Sequence, residues 1–387
     1  MYSYNRQHID NKDIKELVKT LKSNFITQGK QVDKFETNLK HFFKSKYATA
    51  VSSGTAALHL SGLALGWNKN DIIITSPLSF LASANCIVMT GAIPAFVDIE
   101  NSYGNMDLNL LEHKIKNLKK LNKKIKSVIG VDYAGCPINW QDLHYLSRRY
   151  KFSLINDNCH AIGSKYKGDV GYAVKYADVV TQSYHAVKNI TMGEGGSIIT
   201  NNQKIDSTVK LLRSHGIERD KKVLSKKGSW FYDMHNLGYN YRVTDFQCAL
   251  GISQLKKLNT FIQKRRSLAN IYYQQLKNDQ RFLLPQTLPN CDHAFHLFPI
   301  RINFKQLKIS KIKFFEVMER KKIKLQVHYR PIHMQPYYKN KFNTKKGQFP
   351  VAEKFYNEEI SVPLHFNLNK KDILYICKSM INTINKL

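Results

Sequence analysis

Short apolar runs alternate with longer amphipathic segments over the first two hundred residues of the chain. The apolar runs are typical of buried β-strands, and the segments between them carry apolar residues three and four positions apart, as helices do. The predicted strands are 47–53, 72–76, 95–98, 127–132, 152–157, 179–180 and 197–200. The predicted helices are 10–24, 32–43, 56–65, 80–90, 108–121 and 140–150. Because strands joined through helices form parallel pairs, this part of the chain is predicted to be an α/β fold with a mostly parallel sheet.

The pattern is less regular in the second half of the chain. A helix is predicted at 205–213, a lysine-rich loop at 221–227, and one long helix or two joined helices at 246–276. The remaining predicted elements are strands near 298–304 and 325–328 and helices near 311–320 and 370–385. We therefore expect a large domain over residues 1–255 and a smaller C-terminal α/β domain over residues 256–387.

The composition adds one unusual property, a strong excess of positive charge. Of 387 residues, 60 are Lys or Arg and 29 are Asp or Glu, which leaves a net charge of +31. Such a charge favours a nucleic acid, a membrane surface or an acidic small ligand as partner. The lysines are spread along the chain, and zinc-finger, basic-zipper and RNP signatures are absent from the sequence. We therefore expect a phosphorylated small ligand and no specific nucleic acid, with a basic regulatory protein as the alternative.

Cysteine usage and the termini bear on the location of the protein. The six cysteines are far apart and form no CxxC pair, which is typical of reduced thiols in the cytoplasm. The polar N-terminus does not resemble a signal peptide. Residues 72–97 carry no charge and are long enough to span a bilayer, but they contain prolines and several polar residues. We interpret them as a buried strand, helix and strand, and expect a cytoplasmic protein without a membrane partner.

One lysine stands on a sharply bent connector between two predicted strands. Lys188 lies within Thr181–Thr200, which reads TQSYHAVKNITMGEGGSIIT. A short connector between strands holds an amine in few backbone states, and a lysine that forms a Schiff base needs such placement together with a lowered pKa. An ordinary surface lysine is the alternative interpretation of this stretch.

Two further features point to a ligand at the ends of the predicted strands. The segment Ser53-Gly54-Thr55 joins a strand to a helix, so its free N–H groups and the helix dipole favour a phosphate there, although Ser53 could equally be a plain N-cap. Asp157 closes a buried strand, where parallel sheets bind their ligands. Burying an unpaired carboxylate is costly, which favours a functional role over a structural one. No metal site is expected, because the spacing of His328 and His333 does not suit one helical face.

Taken together, the chain resembles the DegT/DnrJ/EryC1/StrS family of pyridoxal-phosphate sugar aminotransferases. The resemblance covers nearly the whole length, with the landmarks in the family's order. They are FITQGK (25–30), TSPLSFLASAN (75–85), VDYAG (131–135), DNCHAIGSKY (157–166), SYHAVKNITMGEGG (183–196), RSHGI (213–217), NYRVTDFQCALG (240–251) and QVHYRPIH (326–333). Each motif is weak alone, but eight in one order are specific.

This resemblance implies a fold-type I transferase and pyridoxal 5'-phosphate (PLP) as cofactor. Lys188 would be the catalytic residue and the covalent attachment point. Asp157 would pair with the pyridine nitrogen, which keeps it protonated and makes the ring an electron sink. The other implied cofactor contacts are Phe80 on the ring, His160 near its 3-hydroxyl, Ser183, Gly54 and Thr55 on the phosphate, and Asn240 on the phosphate from a second subunit. The residues implied to line the nucleotide-sugar side are Tyr4, Thr27, Gln326, His328 and Tyr329.

The resemblance also implies the reaction and the assembly. Its nearest subgroup transfers an amino group from glutamate to C4 of a UDP-4-keto-6-deoxy-N-acetylhexosamine, in the pathway to pseudaminic acid, and works as a homodimer. The chain departs from the family at Asn156, where Glu is usual, and at Asn158 and Cys159, where small residues are common. These departures bear on substrate choice. Another nucleotide-sugar aminotransferase, using a UDP-, dTDP- or GDP-linked keto sugar, is the nearest alternative, whereas a PLP-dependent dehydratase would carry histidine in place of Lys188.

Overall fold

A computed structural model of the chain describes residues 1–218 and 227–387. The lysine-rich loop predicted at 221–227 therefore lies outside the described residues, apart from Lys227. The strands are β1 Tyr47–Val51, β2 Ile72–Thr75, β3 Ile93–Phe96, β4 Ile125–Val131, β5 Ser153–Asp157, β6 Lys165–Tyr166, β7 Val179–Ser183, β8 Gly196–Thr200, β9 Ile217–Glu218, β10 Asp233–Met234, β11 Phe282–Leu283, β12 Cys291–Asp292, β13 Pro299–Ile302 and β14 Glu359–Ser361.

Helices follow most of the strands along the chain. The α-helices are α1 Asn11–Leu21, α2 Lys30–Phe43, α3 Gly54–Ala64, α4 Ala82–Met89, α5 Leu108–Lys120, α6 Trp140–Tyr150, α7 Tyr172–Tyr176, α8 Gln203–Arg213, α9 Asp245–Leu276, α10 Lys311–Arg320, α11 Pro336–Phe342, α12 Pro350–Glu358 and α13 Lys370–Lys386. Short 3-10 helices lie at Tyr133–Gly135 and Ile332–Met334. Within the two described ranges, the structure contains no helix that is both long and apolar enough to cross a bilayer.

Seven strands form the main sheet, in the order β1-β8-β7-β5-β4-β2-β3. The five strands from β7 to β3 are parallel, and β8 runs antiparallel to both of its neighbours. The prediction of an α/β fold with a mostly parallel sheet is confirmed. Since the parallel strands all end at the same edge, residues that follow β5 and β7 are brought close together there.

Alternating strand residues fill a core on each face of this sheet. On one face, Ile73 and Ile155 pack against α3, α4 and α8. On the other face, Ile74 and Leu154 pack against α2, α5, α6 and the first half of α9. Burial on both faces explains why these strands are continuous apolar runs rather than alternating ones.

A second apolar core lies in the C-terminal part of the chain. The three-stranded sheet β11-β13-β14 packs there with α10 and α13. The 32-residue helix α9 is shared between the cores, because Leu258 and Phe261 belong to the first and Leu268 and Tyr272 to the second. The predicted domain boundary at 255/256 falls inside this single helix, and the division into two domains stays a prediction.

The C-terminal part differs from the sequence predictions in two respects. The strand predicted at 325–328 is absent, and its segment makes only one isolated bridge, from Gln326 to Ser361. The helices α11 and α12 were not predicted, although each has proline at its first position, Pro336 and Pro350. Proline suits that position because it lacks a backbone N–H group, and an N–H group in the first turn of a helix has no partner within the helix.

A buried carboxylate anchors the loop that follows β5. Oδ1 of Asp132 accepts hydrogen bonds from the N–H of Ile138 (3.0 Å) and from Nε1 of Trp140 (2.8 Å). Its Oδ2 accepts from Nδ2 of Asn158 and from the hydroxyl of Tyr172, each at 2.8 Å. Burial raises the pKa of Asp132 to about 6. The position of Asn158, next to Asp157, therefore depends on Asp132.

We expect Asp132→Ala to lower the free energy of unfolding by roughly 3–5 kcal/mol, because four buried donors lose their acceptor at about 1–3 kcal/mol each before relaxation. Urea denaturation at one fixed protein concentration measures this. The matched control is Asp292→Ala, an acidic side chain that is half-exposed, and its effect should stay within about 0.5 kcal/mol. Equal effects of the two substitutions would show that the buried network does not stabilise the fold.

Candidate active site

The parallel strands end at a cavity of about 580 Å³. Its wall contains most of the residues that the family resemblance assigns to a site. Those residues are Tyr4, Gly54, Thr55, Phe80, Asp157, His160, Ser183, Lys188, Gln326, His328 and Tyr329. They come from regions far apart in sequence, so the fold is what brings them together.

Lys188 lies on the connector between the antiparallel neighbours β7 and β8, as the sequence predicts. Its N–H donates to the carbonyl of His185 (2.9 Å), which closes a tight turn. Burial lowers the pKa of Lys188, while the nearby groups of Cys159 and Asp157 oppose this effect. In the described ranges, its side-chain amine makes no hydrogen bond or salt bridge. The amine is therefore available to a ligand in the cavity, and it loses its proton more readily than an exposed lysine does.

Asp157 ends β5 and is 5% exposed. Its Oδ2 accepts a hydrogen bond from the hydroxyl of Ser83 (2.6 Å), which lies 2.7 Å from the hydroxyl of Ser79. The N–H of Cys159 points to the other oxygen at 3.4 Å. These contacts hold the carboxylate at the cavity wall. Ser79 and Ser83 were not predicted as site residues, although two serines four residues apart on the segment after β2 lie on one face of a helical turn.

The first turn of α3 faces β7 at very short range. The hydroxyl of Ser53 caps this helix by accepting from the N–H of Ala56 (3.1 Å). A Cβ atom on Gly54 would lie 2.8 Å from Cβ of Ser183, so only glycine fits there. The N–H groups of Gly54 and Thr55 have no partner in the portion of the chain that the structure covers. A helix N-terminus with free N–H groups beside a serine hydroxyl suits a phosphate.

His160 and Tyr329 form a defined pair at the opposite wall. The N–H of Ala134 donates to Nδ1 of His160 (3.3 Å), so the imidazole proton lies on Nε2. Nε2 of His160 is 3.1 Å from the hydroxyl oxygen of Tyr329 and donates to it. Burial lowers the pKa of His160 well below its usual range, with a smaller effect from the charge of Lys188. His160 is therefore neutral, and the hydroxyl proton of Tyr329 is free to donate to a ligand.

Residues 1–9, here called the N-terminal strap, connect the cavity to the C-terminal core. The N–H of Leu364 donates to the carbonyl of Tyr4 (3.0 Å). Nδ2 of Asn5 donates to the carbonyl of Val187 (2.5 Å), next to Lys188, and Oδ1 of Asn5 accepts from the buried guanidinium of Arg265 (3.0 Å). One asparagine therefore ties the lysine connector to helix α9.

Two of the assigned residues, Thr27 and Asn240, lie away from the cavity of their own chain. Thr27 forms a bridge with Thr244, and Asn240 forms a bridge with Ser214. Several large apolar side chains near them in sequence are exposed, namely Phe25, Ile26, Trp230, Tyr232, Met234 and Leu237.

Other cavity residues were missed by the sequence analysis. His296 lies in the wall, with its ring centroid 4.5 Å from that of His160. Outside the cavity wall, Asn156, which the sequence marks as a departure from the family pattern, is fully buried. Among the residues described here, neither its amide nitrogen nor its side-chain oxygen has a hydrogen-bond partner. No sequence signal distinguished His296, because its segment has no regular pattern. The described chain holds no cluster of three or more His, Cys, Asp or Glu placed to bind a metal ion.

Comparisons with known proteins agree with this geometry. The model of the DegT/DnrJ/EryC1/StrS aminotransferase family matches residues 7–381. The UDP-4-amino-4,6-dideoxy-N-acetyl-beta-L-altrosamine transaminase of Campylobacter jejuni is 38% identical over 388 residues, which cover 100% of this chain and 98% of the relative.

Solved structures give the same result. PseC of Helicobacter pylori, an aminotransferase involved in the biosynthesis of pseudoaminic acid, superposes with a TM-score of 0.90 at 33% identity, covering 100% of both chains. The Streptococcus pneumoniae protein Spr1654 in its PLP-form gives a TM-score of 0.88 at 27% identity, covering 99% of this chain and 98% of that one. The chain therefore belongs to the DegT/DnrJ/EryC1/StrS aminotransferase family, as its motifs predict.

Proposed function

We propose that this aminotransferase uses PLP to move an amino group from glutamate to C4 of a UDP-4-keto-6-deoxy-N-acetylhexosamine. The observation that carries the proposal is the placement of the Lys188 amine, the Asp157 carboxylate and the N-terminus of α3 around one cavity. PLP has a carbonyl carbon that bonds to an amine, a ring nitrogen that needs an anionic partner, and a phosphate. Lys188, Asp157 and the N-terminus of α3 suit these three groups in that order.

The residues around the cavity of this chain suit the phosphate, the ring nitrogen and the ring faces of PLP. The phosphate would lie at the first turn of α3, where Gly54 leaves room beside Ser183 that a Cβ atom would fill. Asp157 would face the ring nitrogen, and the exposed ring of Phe80 would cover one face of the cofactor. Bound there, PLP would supply an electron-withdrawing ring that stabilises negative charge on the substrate carbon that loses a proton.

The protein's own side chains would then transfer protons and orient the reacting groups. The Lys188 amine, with its lowered pKa, would take the proton from the α-carbon of the amino donor and deliver it to the cofactor carbon that receives the amino group. In the second half-reaction it would move a proton in the opposite direction, from that carbon to C4 of the sugar. Ser83 would keep Asp157 oriented through their 2.6 Å hydrogen bond. The free hydroxyl proton of Tyr329 would orient a substrate oxygen. Two half-reactions at one lysine should give ping-pong kinetics.

The choice of sugar rests on the relatives. The Campylobacter jejuni transaminase, whose name specifies an amino group at C4 of a UDP-linked 4,6-dideoxy sugar, covers the whole of this chain. Within the cavity, Tyr4, Gln326, His328 and Tyr329 provide the polar and aromatic wall that a sugar and a base need. A different nucleotide base or keto carbon is the alternative. The cytoplasmic location stays a prediction.

We also propose a homodimer with shared active sites. Thr27 and Asn240 lie outside the cavity of their own chain. Large apolar side chains that precede Asn240 in the sequence are exposed, such as Trp230 at 78% and Leu237 at 77%. Exposed apolar side chains that form a patch are typical of an interface. In a two-fold dimer, the same surface on each subunit would place Asn240 at the partner's cavity.

Replacing Lys188 by Ala should lower turnover by at least about 10²–10⁴-fold, because the proton-transfer group is lost. Wild-type protein supplied with PLP should absorb in the near-ultraviolet to visible region, and borohydride should attach the pyridoxyl group to the peptide containing Lys188. Lys204→Ala, at an exposed lysine of α8, is the control and should behave as wild type. Labelling of a different peptide would contradict the assignment of Lys188.

Mixing two inactive variants tests the shared site. Lys188→Ala and Asn240→Ala should each have low activity alone. After the subunits are exchanged, heterodimers contain one site with both groups intact, so about a quarter of wild-type activity should return if exchange is complete. If mixing restores nothing although heterodimers form, Asn240 does not act across the interface.

A substrate panel tests the choice of sugar nucleotide. With glutamate as donor, kcat/KM for the UDP-linked 4-keto-6-deoxy-N-acetylhexosamine should exceed that for dTDP- or GDP-linked 4-keto sugars by at least about tenfold, because a polar site loses hydrogen bonds to a wrong base. Higher kcat/KM for a dTDP- or GDP-linked sugar would favour the alternative aminotransferase while leaving the lysine chemistry intact.

A further inference from the structure

A buried carboxylate, a serine and a histidine form a hydrogen-bonded chain that ends at the cavity. Glu359 and Ser361 stand two residues apart on β14 and therefore face the same side of the strand. Both are fully buried. The segment that carries His328 lies alongside, because Ser361 and Gln326 exchange backbone hydrogen bonds of 2.8 and 3.2 Å.

His328 is held at three points by this arrangement. Its N–H donates to Oε2 of Glu359 (2.8 Å), and its carbonyl accepts from the hydroxyl of Tyr133 (2.5 Å). Its Nδ1 lies 2.8 Å from Oγ of Ser361, whose hydroxyl donates to Oε1 of Glu359 (2.5 Å). For Nε2, the described residues offer no hydrogen-bond partner. The ring lines the cavity, so Nε2 is the atom that remains for a ligand.

The hydroxyl of Ser361 has one proton to donate, so the protonation of Glu359 determines whether Nε2 of His328 carries a proton. When Glu359 is a carboxylate, Ser361 donates to it and must accept from Nδ1–H of His328, which leaves a lone pair on Nε2. When Glu359 is protonated, its Oε1–H donates to Ser361, which then donates to Nδ1. The imidazole proton in that case lies on Nε2.

We propose that Glu359 and Ser361 are positioning residues that set the tautomer of His328 and so decide whether its Nε2 accepts or donates a hydrogen bond in the cavity. With Glu359 ionised, Nε2 is an acceptor, and the neighbouring Tyr329 hydroxyl is a donor. That pair matches a sugar hydroxyl, which can donate to one group and accept from the other. Only this last step, the identity of the ligand, rests on the proposed function.

The surroundings of Glu359 place its ionisation within reach of ordinary pH values. Burial raises the pKa of Glu359 to about 8, and the hydrogen bonds from Ser361 and His328 and the nearby Lys311 oppose that rise. Burial also lowers the pKa of Lys311 to about 8, so these two groups titrate together. The titratable and charged groups around this carboxyl are Lys311 on α10, Arg301 on β13, Tyr133, Tyr329, His328 and the adjacent Glu358.

His328 itself does not change charge over the same range. Burial lowers the pKa of His328 to about 3, with a smaller contribution from the charge of Lys188. At pH values below the raised pKa of Glu359, Nε2 of His328 carries the imidazole proton and donates a hydrogen bond. At pH values above it, Nε2 accepts one. The imidazole stays neutral throughout, so only its tautomer reports the change.

Nitrogen NMR of the unliganded, full-length protein tests the proposal, because the two imidazole nitrogens give different shifts in the two tautomers. The protein is labelled with ¹⁵N-histidine, and His328→Gln assigns the signal. At about pH 9, above the raised pKa, wild type should carry the proton on Nδ1, and at about pH 6 on Nε2. Glu359→Gln should keep it on Nε2 at both pH values, because the carboxamide N–H donates to Ser361 while its oxygen still accepts from His328.

Two variants separate the proposed role from a general loss of structure. Ser361→Ala removes the link, so the tautomer of His328 should no longer follow pH. Glu353→Gln is the matched control, since Glu353 also contacts a buried histidine, His333 at 2.9 Å, but neither residue lines the cavity. The Glu353 variant should reproduce the wild-type shifts at both pH values.

The same tautomer in wild type and Glu359→Gln at about pH 9 would overturn the proposal, as would a pH response that survives in Ser361→Ala. In kinetics at high pH, Glu359→Gln should raise KM for the nucleotide sugar roughly tenfold, the effect of one lost hydrogen bond, and leave the glutamate half-reaction unchanged. A changed tautomer with unchanged KM would overturn the contact with the sugar. Because the NMR needs neither cofactor nor substrate, its outcome is independent of the proposed function.

Discussion

Backbone crowding between α3 and the ends of β7 and β8 is the constraint on which the site depends. A Cβ atom on Gly54 would meet Ser183, and one on Gly196 would lie 2.3 Å from the carbonyl oxygen of Ser53. Because both positions are glycine, the helix N-terminus can press against the strand ends. The lysine connector starts from those same strand ends, and β5 brings Asp157 alongside through its pairing with Thr181. The first turn of α3, the amine and the carboxylate are thus fixed by one local contact and one strand register.

The opposite wall of the cavity is built differently. Tyr4, His328 and Tyr329 belong to segments without regular secondary structure, and each is held by polar contacts to another part of the chain. The sheet edge therefore supplies the amine and the carboxylate of the cavity, and the irregular segments supply aromatic and polar side chains. Such a division allows substrate choice to change through loop residues while the reaction is retained.

The sequence predicted the sheet edge well because that edge is encoded locally. Asp157 ends one apolar strand, and Ser53-Gly54-Thr55 and Lys188 lie on the connectors that follow two others. The order of strands and helices determines that these strand ends meet. The opposite wall could not be derived in this way. The segment 325–328 looks like a strand because its residues suit one, but its place beside Ser361 depends on β14, whose residues come more than thirty positions later. Glu359 gave no signal, since a buried carboxyl on a short strand is recognised only once its partners are known. Thr27 and Asn240 came from the resemblance alone, and within their own chain they contact Thr244 and Ser214 rather than the cavity.

The N-terminal strap has a consequence for how the protein is made. Asn5 holds the carbonyl of Val187 beside the lysine, and Tyr4 is held in turn by Leu364, near the other end of the chain. During synthesis on the ribosome, the large sheet can form once β8 has emerged, and Val187 is then already present. The other two partners of the strap, Arg265 and Leu364, emerge later. The wall of the cavity that contains Tyr4 is therefore fixed only after the sheet edge that carries Lys188.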